Sequence, residues 1–114
     1  MKLKNYRFGH VEGDQKDFDN DLIVMDDWVH DNWWRNDGHR LVPDDLKHLV
    51  PKNPAKLIIG KGASGRMKLS PKVKNFLDEN GIDYEAMNTD QAIKRYNELT
   101  EREQRVAGAF HLTC

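Results

Sequence analysis

The stretch Ala55-Lys56-Leu57-Ile58-Ile59-Gly60-Lys61-Gly62-Ala63-Ser64-Gly65-Arg66-Met67-Lys68-Leu69-Ser70-Pro71 decides the fold. Residues 55–60 form a short apolar run of strand length and read as a buried strand. Ser70-Pro71 reads as a helix start, with a hydroxyl cap followed by a ring whose missing N–H is not needed in the first turn. Between them lie three glycines, a hydroxyl and an arginine at the exit of a strand, where α/β proteins commonly bind ligands.

Working outward, the second half alternates strand and helix. Ser70 caps a helix from Pro71 to about Asn80, whose Val73, Phe76 and Leu77 share one face. Asn80-Gly81 reads as a left-handed end. Residues 82–87 form a strand, and Thr89 caps a helix running through Ala92, Ile93, Tyr96 and Leu99 to about Glu103. Residues 105–113 form the last strand. This alternation implies βαβ crossovers and parallel pairing.

The first half reads differently. Residues 4–12 form one strand, Gly13-Asp14 a hairpin turn, residues 17–25 a second strand, Asp26-Asp27 another turn, and Trp28-Val29-His30 a third strand. These strands are antiparallel to one another. Residues 31–41 read as an irregular aromatic segment and Pro43–Val50 as a short helix stopped by Pro51 and Pro54. The expectation is a single α/β domain, residues 1–114, with a β-meander at its N-terminal side.

Composition narrows the function. The chain has 114 residues, 38% hydrophobic and 32% charged, with a formal net charge of -1. One domain and one core follow from that length. A near-neutral chain lacks the phosphate-neutralising excess of a general nucleic-acid binder. No apolar run approaches the roughly 18 residues of a membrane span, and the N-terminus reads as a strand rather than a signal segment. A single cysteine fits a reducing cytoplasm. Between Glu12 and Asp45 there are 11 acids against three bases, Lys16, Arg35 and Arg40. That imbalance reads as a solvated acidic face or as a docking surface for a basic partner.

Gly60, Gly62 and Gly65 match the dinucleotide spacing, with Glu85 about 20 residues further on. The context opposes it. A dinucleotide loop opens directly into its helix, whereas Arg66 to Leu69 intervene here, and 114 residues leave no room for a second nucleotide-binding half. No cofactor is expected. The plainer reading is a turn that needs glycine. The alternative is a small-anion pocket, in which the N–H groups of Gly62, Ala63, Ser64 and Gly65 make a concavity and Arg66 supplies a planar fork.

Trp33-Trp34 is the second unusual feature, since adjacent tryptophans cannot both point the same way; at least one is expected to pack on the core and one to line a cleft. His39 and Arg40 follow Gly38. His39 reads either as a base or anion ligand or as a ring hydrogen-bonded to backbone. His111 and Cys114, three apart on a strand, are expected to face opposite ways, and Cys114 beside a terminal carboxylate is a poor nucleophile. Asp14, Asp17, Asp19 and Asp21 lack the glycine and closing glutamate of a calcium loop. No metal site is expected.

Together these motifs resemble a known family. They are Trp33-Trp34 with Gly38-His39-Arg40-Leu41, then Gly60-x-Gly62-Ala63-Ser64-Gly65-Arg66-Met67, the Pro71 helix, Gly81-Ile82, Tyr96-Asn97-Glu98-Leu99 and the closing run from Arg105 to Cys114. The chain resembles the small single-domain Mth-type family of unknown function, which includes mitochondrial complex I assembly factor 3 and the adipogenesis-associated Mth-domain protein. The resemblance implies three layers (β+α/β/α) around a mixed five-stranded sheet with one antiparallel strand. It implies no established activity and no assigned catalytic residue. The mitochondrial relative acts by binding partners during assembly.

Two functions follow as expectations. The first is a non-enzymatic interaction or accessory module whose partner is another protein. The second is a small anionic-ligand binder or enzyme using the Gly62–Arg66 loop with Trp33, Trp34, His39 and Arg40. Neither nucleic acid nor membrane is an expected partner, and the oligomeric state is open.

Overall fold

The computed structural model describes residues 1–114. Ten strands and two α-helices make up the fold. The strands are β1 (Lys4–Arg7), β2 (His10–Glu12), β3 (Asp17–Phe18), β4 (Leu22–Met25), β5 (Trp28–His30), β6 (Arg40–Leu41), β7 (Lys56–Lys61), β8 (Lys68–Leu69), β9 (Asp83–Met87) and β10 (Val106–His111). The helices are α1 (Pro71–Glu79) and α2 (Thr89–Arg102). The central sheet has the order β5-β4-β10-β7-β9. Strands β10, β7 and β9 run parallel, and β4 is antiparallel to both of its neighbours. The expected mixed five-stranded sheet with one antiparallel strand is therefore present.

Each sheet face is covered by a different layer. Ile23, Met25, Leu57, Ile59, Ala107 and Ala109 point to one side, where Val73 and Leu77 of α1 join Leu46, Leu49, Trp33 and Met67. Leu22, Val24, Ile58, Val106 and Phe110 point to the other, against Ala92, Ile93, Tyr96 and Leu99 of α2 and Leu3, Val11 and Phe18 of the meander. This alternation is the period-2 rule of a strand buried on both faces. All six residues of β10 are buried, so this strand is the axis of the domain.

The N-terminal layer departs from the expectation. Residues 4–12 are not one strand. Gly9, at φ +78°, turns β1 back on β2. Residues 17–25 are likewise two strands, with β3 closing the small sheet β1-β2-β3 and β4 joining the main sheet. The segment Asp19–Asp21 carries the chain between the two. Asn97 of α2 fastens the layer, donating to the Leu3 carbonyl (2.6 Å) and accepting from the Leu3 N–H (3.0 Å).

Three further corrections concern the connections. Pro43–Leu46 and Val50–Lys52 are two separate 3-10 turns rather than one helix, and Pro51 lies inside the second. Residues 40–41 and 68–69 pair as a two-stranded parallel ladder, β6 with β8. The last strand ends at His111 rather than Thr113. The start of α1 is as expected, with the Ser70 hydroxyl accepting from the Val73 N–H at 3.0 Å. No helix is long and apolar enough to cross a membrane.

One glycine is required by close packing. A Cβ at Gly108 would lie 2.4 Å from the Phe110 ring, which itself meets Tyr96 edge-on at 5.6 Å. Gly108→Ala should destabilise the domain by about 1–3 kcal/mol, as overpacking does. A lowered urea midpoint with an unchanged m-value is the expected result.

Candidate functional site

Strand β10 leaves the sheet at His111, and the residues that gather around its exit come from four parts of the chain. Asp21 precedes β4, Arg35 lies in the aromatic segment, the glycine loop follows β7, and His111 to Cys114 form the tail. Asp21 is the node. One carboxylate oxygen accepts from the Leu112 N–H at 2.7 Å. The other lies 2.7 Å from His111 Nδ1 and 2.8 Å from Arg35 Nη2. Burial pushes the Asp21 pKa up, but the hydrogen bonds from His111, the Leu112 N–H and Arg35 outweigh it and hold the carboxyl below its usual range.

An ionised carboxylate only accepts, so the proton of the His111 ring sits on Nδ1. Arg35 Nη2 also lies 3.0 Å from that nitrogen. Both atoms are then donors, and Nη2 is satisfied instead by Asp21 and by the Gly38 carbonyl at 3.2 Å. The consequence is a bare acceptor. His111 Nε2 is buried and has no hydrogen-bond partner, and Arg35 Nε and Nη1 are likewise unpartnered. The Arg35 guanidinium lies 4.5 Å from the centre of the Trp33 ring, which offsets part of its desolvation.

The glycine loop serves this tail. The Gly62 N–H donates to Thr89 Oγ1 (2.8 Å), whose own hydroxyl donates to the His111 carbonyl (2.6 Å). The Ala63 N–H donates to the Thr113 carbonyl (2.7 Å) and the Arg66 N–H to the Cys114 carbonyl (3.3 Å). Gly65 N–H returns to the Gly62 carbonyl. Gly62 sits at φ +105°, and a Cβ there would lie 2.6 Å from the Cys114 carbonyl oxygen and 2.8 Å from the His111 ring. Most of the loop's donors are therefore turned onto the chain's own carbonyls. Thr89 is not a helix cap: Asn88 holds that position, and the Thr89 hydroxyl faces inward.

The other residues singled out in the sequence fall into separate places. Trp33 is buried, with its indole N–H donating to the Asp45 carbonyl at 2.9 Å. Trp34 is exposed and lines a cleft with His30, His48 and Asp44. His39 and Arg40 line a different cleft of about 340 Å³, with Lys68 and Ser70 at the start of α1. Ser64 and Arg66 are exposed. Glu85, the acid of the formal dinucleotide match, is held between Lys56 Nζ (2.7 Å) and Arg95, whose two nitrogens reach it at 2.9 and 3.0 Å.

The expected opposition of His111 and Cys114 does not hold. Because pairing stops at His111, the tail bends and the strand alternation no longer applies. His39 Nε2 lies 3.4 Å from Cys114 Sγ. One donor atom each from His39, His111 and Cys114 lies within 4.8 Å of the other two. Sequence reasoning named His39 but missed Asp21, Arg35 and Thr89, which hold His111.

A model of the family described as "Protein of unknown function (DUF498/DUF598)" matches residues 3–111. The chain belongs to this family. Its fold matches that of a conserved hypothetical protein from Pyrococcus horikoshii OT3, at 26% identity and a TM-score of 0.84, over 100% of both chains. A solved protein called MT938 matches at 27% identity and a TM-score of 0.80, over 99% of this chain and 98% of that one. A Bordetella pertussis protein described as a Mth938-like domain shares the fold at 22% identity and a TM-score of 0.75, over 97% and 85%. The Mth-type resemblance read from the motifs and the three-layer fold are both found.

Two outcomes test the geometry. Asp21→Ala strands the buried Arg35 charge and should cost about 3 kcal/mol in urea unfolding. Glu85 behaves differently. The hydrogen bonds from Arg95 and Lys56 lower its pKa to about 2, against roughly 4.3 in an unfolded chain. Its contribution is thus fully present above pH 4.3 and is lost as the pH falls towards 2. Glu85→Gln should lower stability by about 1 kcal/mol at pH 7 and by nothing measurable at pH 2.

Proposed function

We propose that this domain is an interaction module that presents Trp34 to a basic protein partner. The observation that carries the reading is local. Trp34 is 75% exposed, while Trp33 and Arg35 on either side are 4% and 6% exposed. Trp33 is locked by Asp45 and Arg35 by Asp21, so the backbone between them is fixed and the indole of Trp34 is held outward. A preorganised exposed tryptophan loses little conformational entropy on binding and is the residue type most enriched among interface anchors.

Charge supports the choice of partner. Asp44 and Asp45, within the acid-rich stretch from Glu12 to Asp45, line the same cleft as the indole against one base, Lys47, which lies 3.7 Å from Asp44. His30, which lines the same cleft, is stacked on His48 at 5.0 Å. Burial, followed by the nearby His48, lowers its pKa, so it adds no positive charge at neutral pH. A partner with lysines or arginines around an aromatic-accepting pocket fits this face.

A second reading rests on the cleft of His39, Arg40 and Lys68 at the start of α1. Arg40 and Lys68 there suit a small anion such as phosphate, with the Asp37 carboxylate on the same cleft offsetting part of their charge. It predicts a phosphate-dependent rise in melting temperature that Arg40→Ala removes.

For the main reading, the decisive comparison is wild type against Trp34→Ala in capture from native extract at low and high salt. Trp34→Ala should change folding stability by no more than about 0.5 kcal/mol and weaken the captured complex by about 2 kcal/mol or more. Raised salt should weaken it further. An identical set of retained proteins with both forms would reject the proposal.

A further inference from the structure

We propose that His39, His111 and Cys114 form a binding site for a transition-metal dication, with zinc as the natural occupant. Two imidazoles and a thiol are a donor set of borderline softness, matched to zinc rather than to magnesium or calcium. Their donor atoms already lie within 4.8 Å of one another. The His39 Nε2 to Cys114 Sγ separation is 3.4 Å. Around a tetrahedral zinc with bonds of about 2.05 Å to nitrogen and 2.3 Å to sulfur, that separation is about 3.6 Å. The third ligand needs only a small inward movement of the exposed His39 and the half-buried Cys114.

The buried half of the site carries the argument. His111 Nδ1 is tied to Asp21, so its remaining nitrogen, Nε2, bears the lone pair, and that atom is buried with no partner. Leaving a buried acceptor unsatisfied costs free energy that a ligand recovers. The order carboxylate, histidine, metal is the usual outer-shell arrangement, in which the carboxylate fixes the tautomer and raises the basicity of the ligand. The charge of Arg35 is matched by Asp21, so it does not oppose a dication.

The glycine loop supplies the positioning. Hydrogen bonds from Ala63 and Arg66 hold the carbonyls of Thr113 and Cys114, and Gly62 admits the tail where a side chain would collide with it. The thiol is thereby brought beside His39. Binding displaces the Cys114 thiol proton to solvent and leaves the fourth zinc position open to water.

The test is a titration of the reduced, metal-free full chain with Co2+, followed by displacement with Zn2+. The expected result is one Co2+ per chain, a thiolate-to-cobalt charge-transfer band and tetrahedral visible bands, all removed by Zn2+. Cys114→Ser should abolish the charge-transfer band and His39→Ala should weaken binding at least 100-fold. Neither residue is fully buried, so both variants keep the fold, checked by their melting curves. His111→Asn, which can unfold the site, is secondary. Absence of a one-to-one charge-transfer complex, or retention of it in Cys114→Ser, would overturn the assignment.

Discussion

Asp21 holds together the end of the domain where β10 leaves the sheet. Its two oxygens bind the Leu112 N–H, His111 and Arg35. These partners lie 91, 90 and 14 residues away along the chain. A carboxylate can do this because it presents about four lone-pair sites in one plane and gains most from donors that are themselves charged or buried. The position of every neighbouring group then follows: the His111 tautomer, the buried guanidinium, and through it the outward Trp34.

The two sheet faces divide the labour. The face under α2 and the meander is built for packing, with Gly108 admitting Phe110 against Tyr96. The face under α1 reaches Trp33, Leu41 and Met67, residues that flank the aromatic segment and the glycine loop. Hydrophobic burial on this second side therefore fixes the two segments whose polar groups surround the tail. Stability and site geometry are coupled there, and the first side reaches the site through Thr89 of α2, which holds the Gly62 N–H and the His111 carbonyl.

Much of this was legible in the sequence because it is local. The β7 run, the Ser70 cap, the α1 face of Val73 and Leu77 and the β4–β5 turn at Asp26-Asp27 are all written within a few residues. What was not legible is where the local rule gives way to a distant partner. Residues 4–12 and 17–25 alternate well enough to read as single strands, yet the chain must break at Gly9 and at Asp19–Asp21 to cover α2 and then enter the main sheet. Thr89 has the chemistry of a cap, but the hydroxyl satisfies Gly62 and His111 instead. The ladder of β6 with β8 has only two residues in each strand, too few for any period to show. For the site, His39 was visible beside Gly38. His111 was set aside through strand alternation, a rule that lapses where the ladder ends.

The glycine loop shows how a motif and its surroundings separate. Gly60, Gly62 and Gly65 have dinucleotide spacing because both uses of such a loop need the same backbone freedom: positive φ and close approach of another main chain. In a dinucleotide site the approaching group is a pyrophosphate. Here it is the protein's own tail, whose carbonyls meet the N–H groups that an anion would have taken. Carbonyls and phosphate oxygens ask the same of those donors, so spacing alone does not distinguish them. The helix start does, since a phosphate site needs the free N–H groups of a helix that opens at the glycines. Residues 66–69 separate α1 from the glycines, and within that gap Lys68 and Leu69 are drawn into the ladder with β6. The same four residues that remove the helix dipole from the loop thus tie it to the segment carrying His39, which is how a loop of nucleotide-like spacing comes to face a histidine and a thiol.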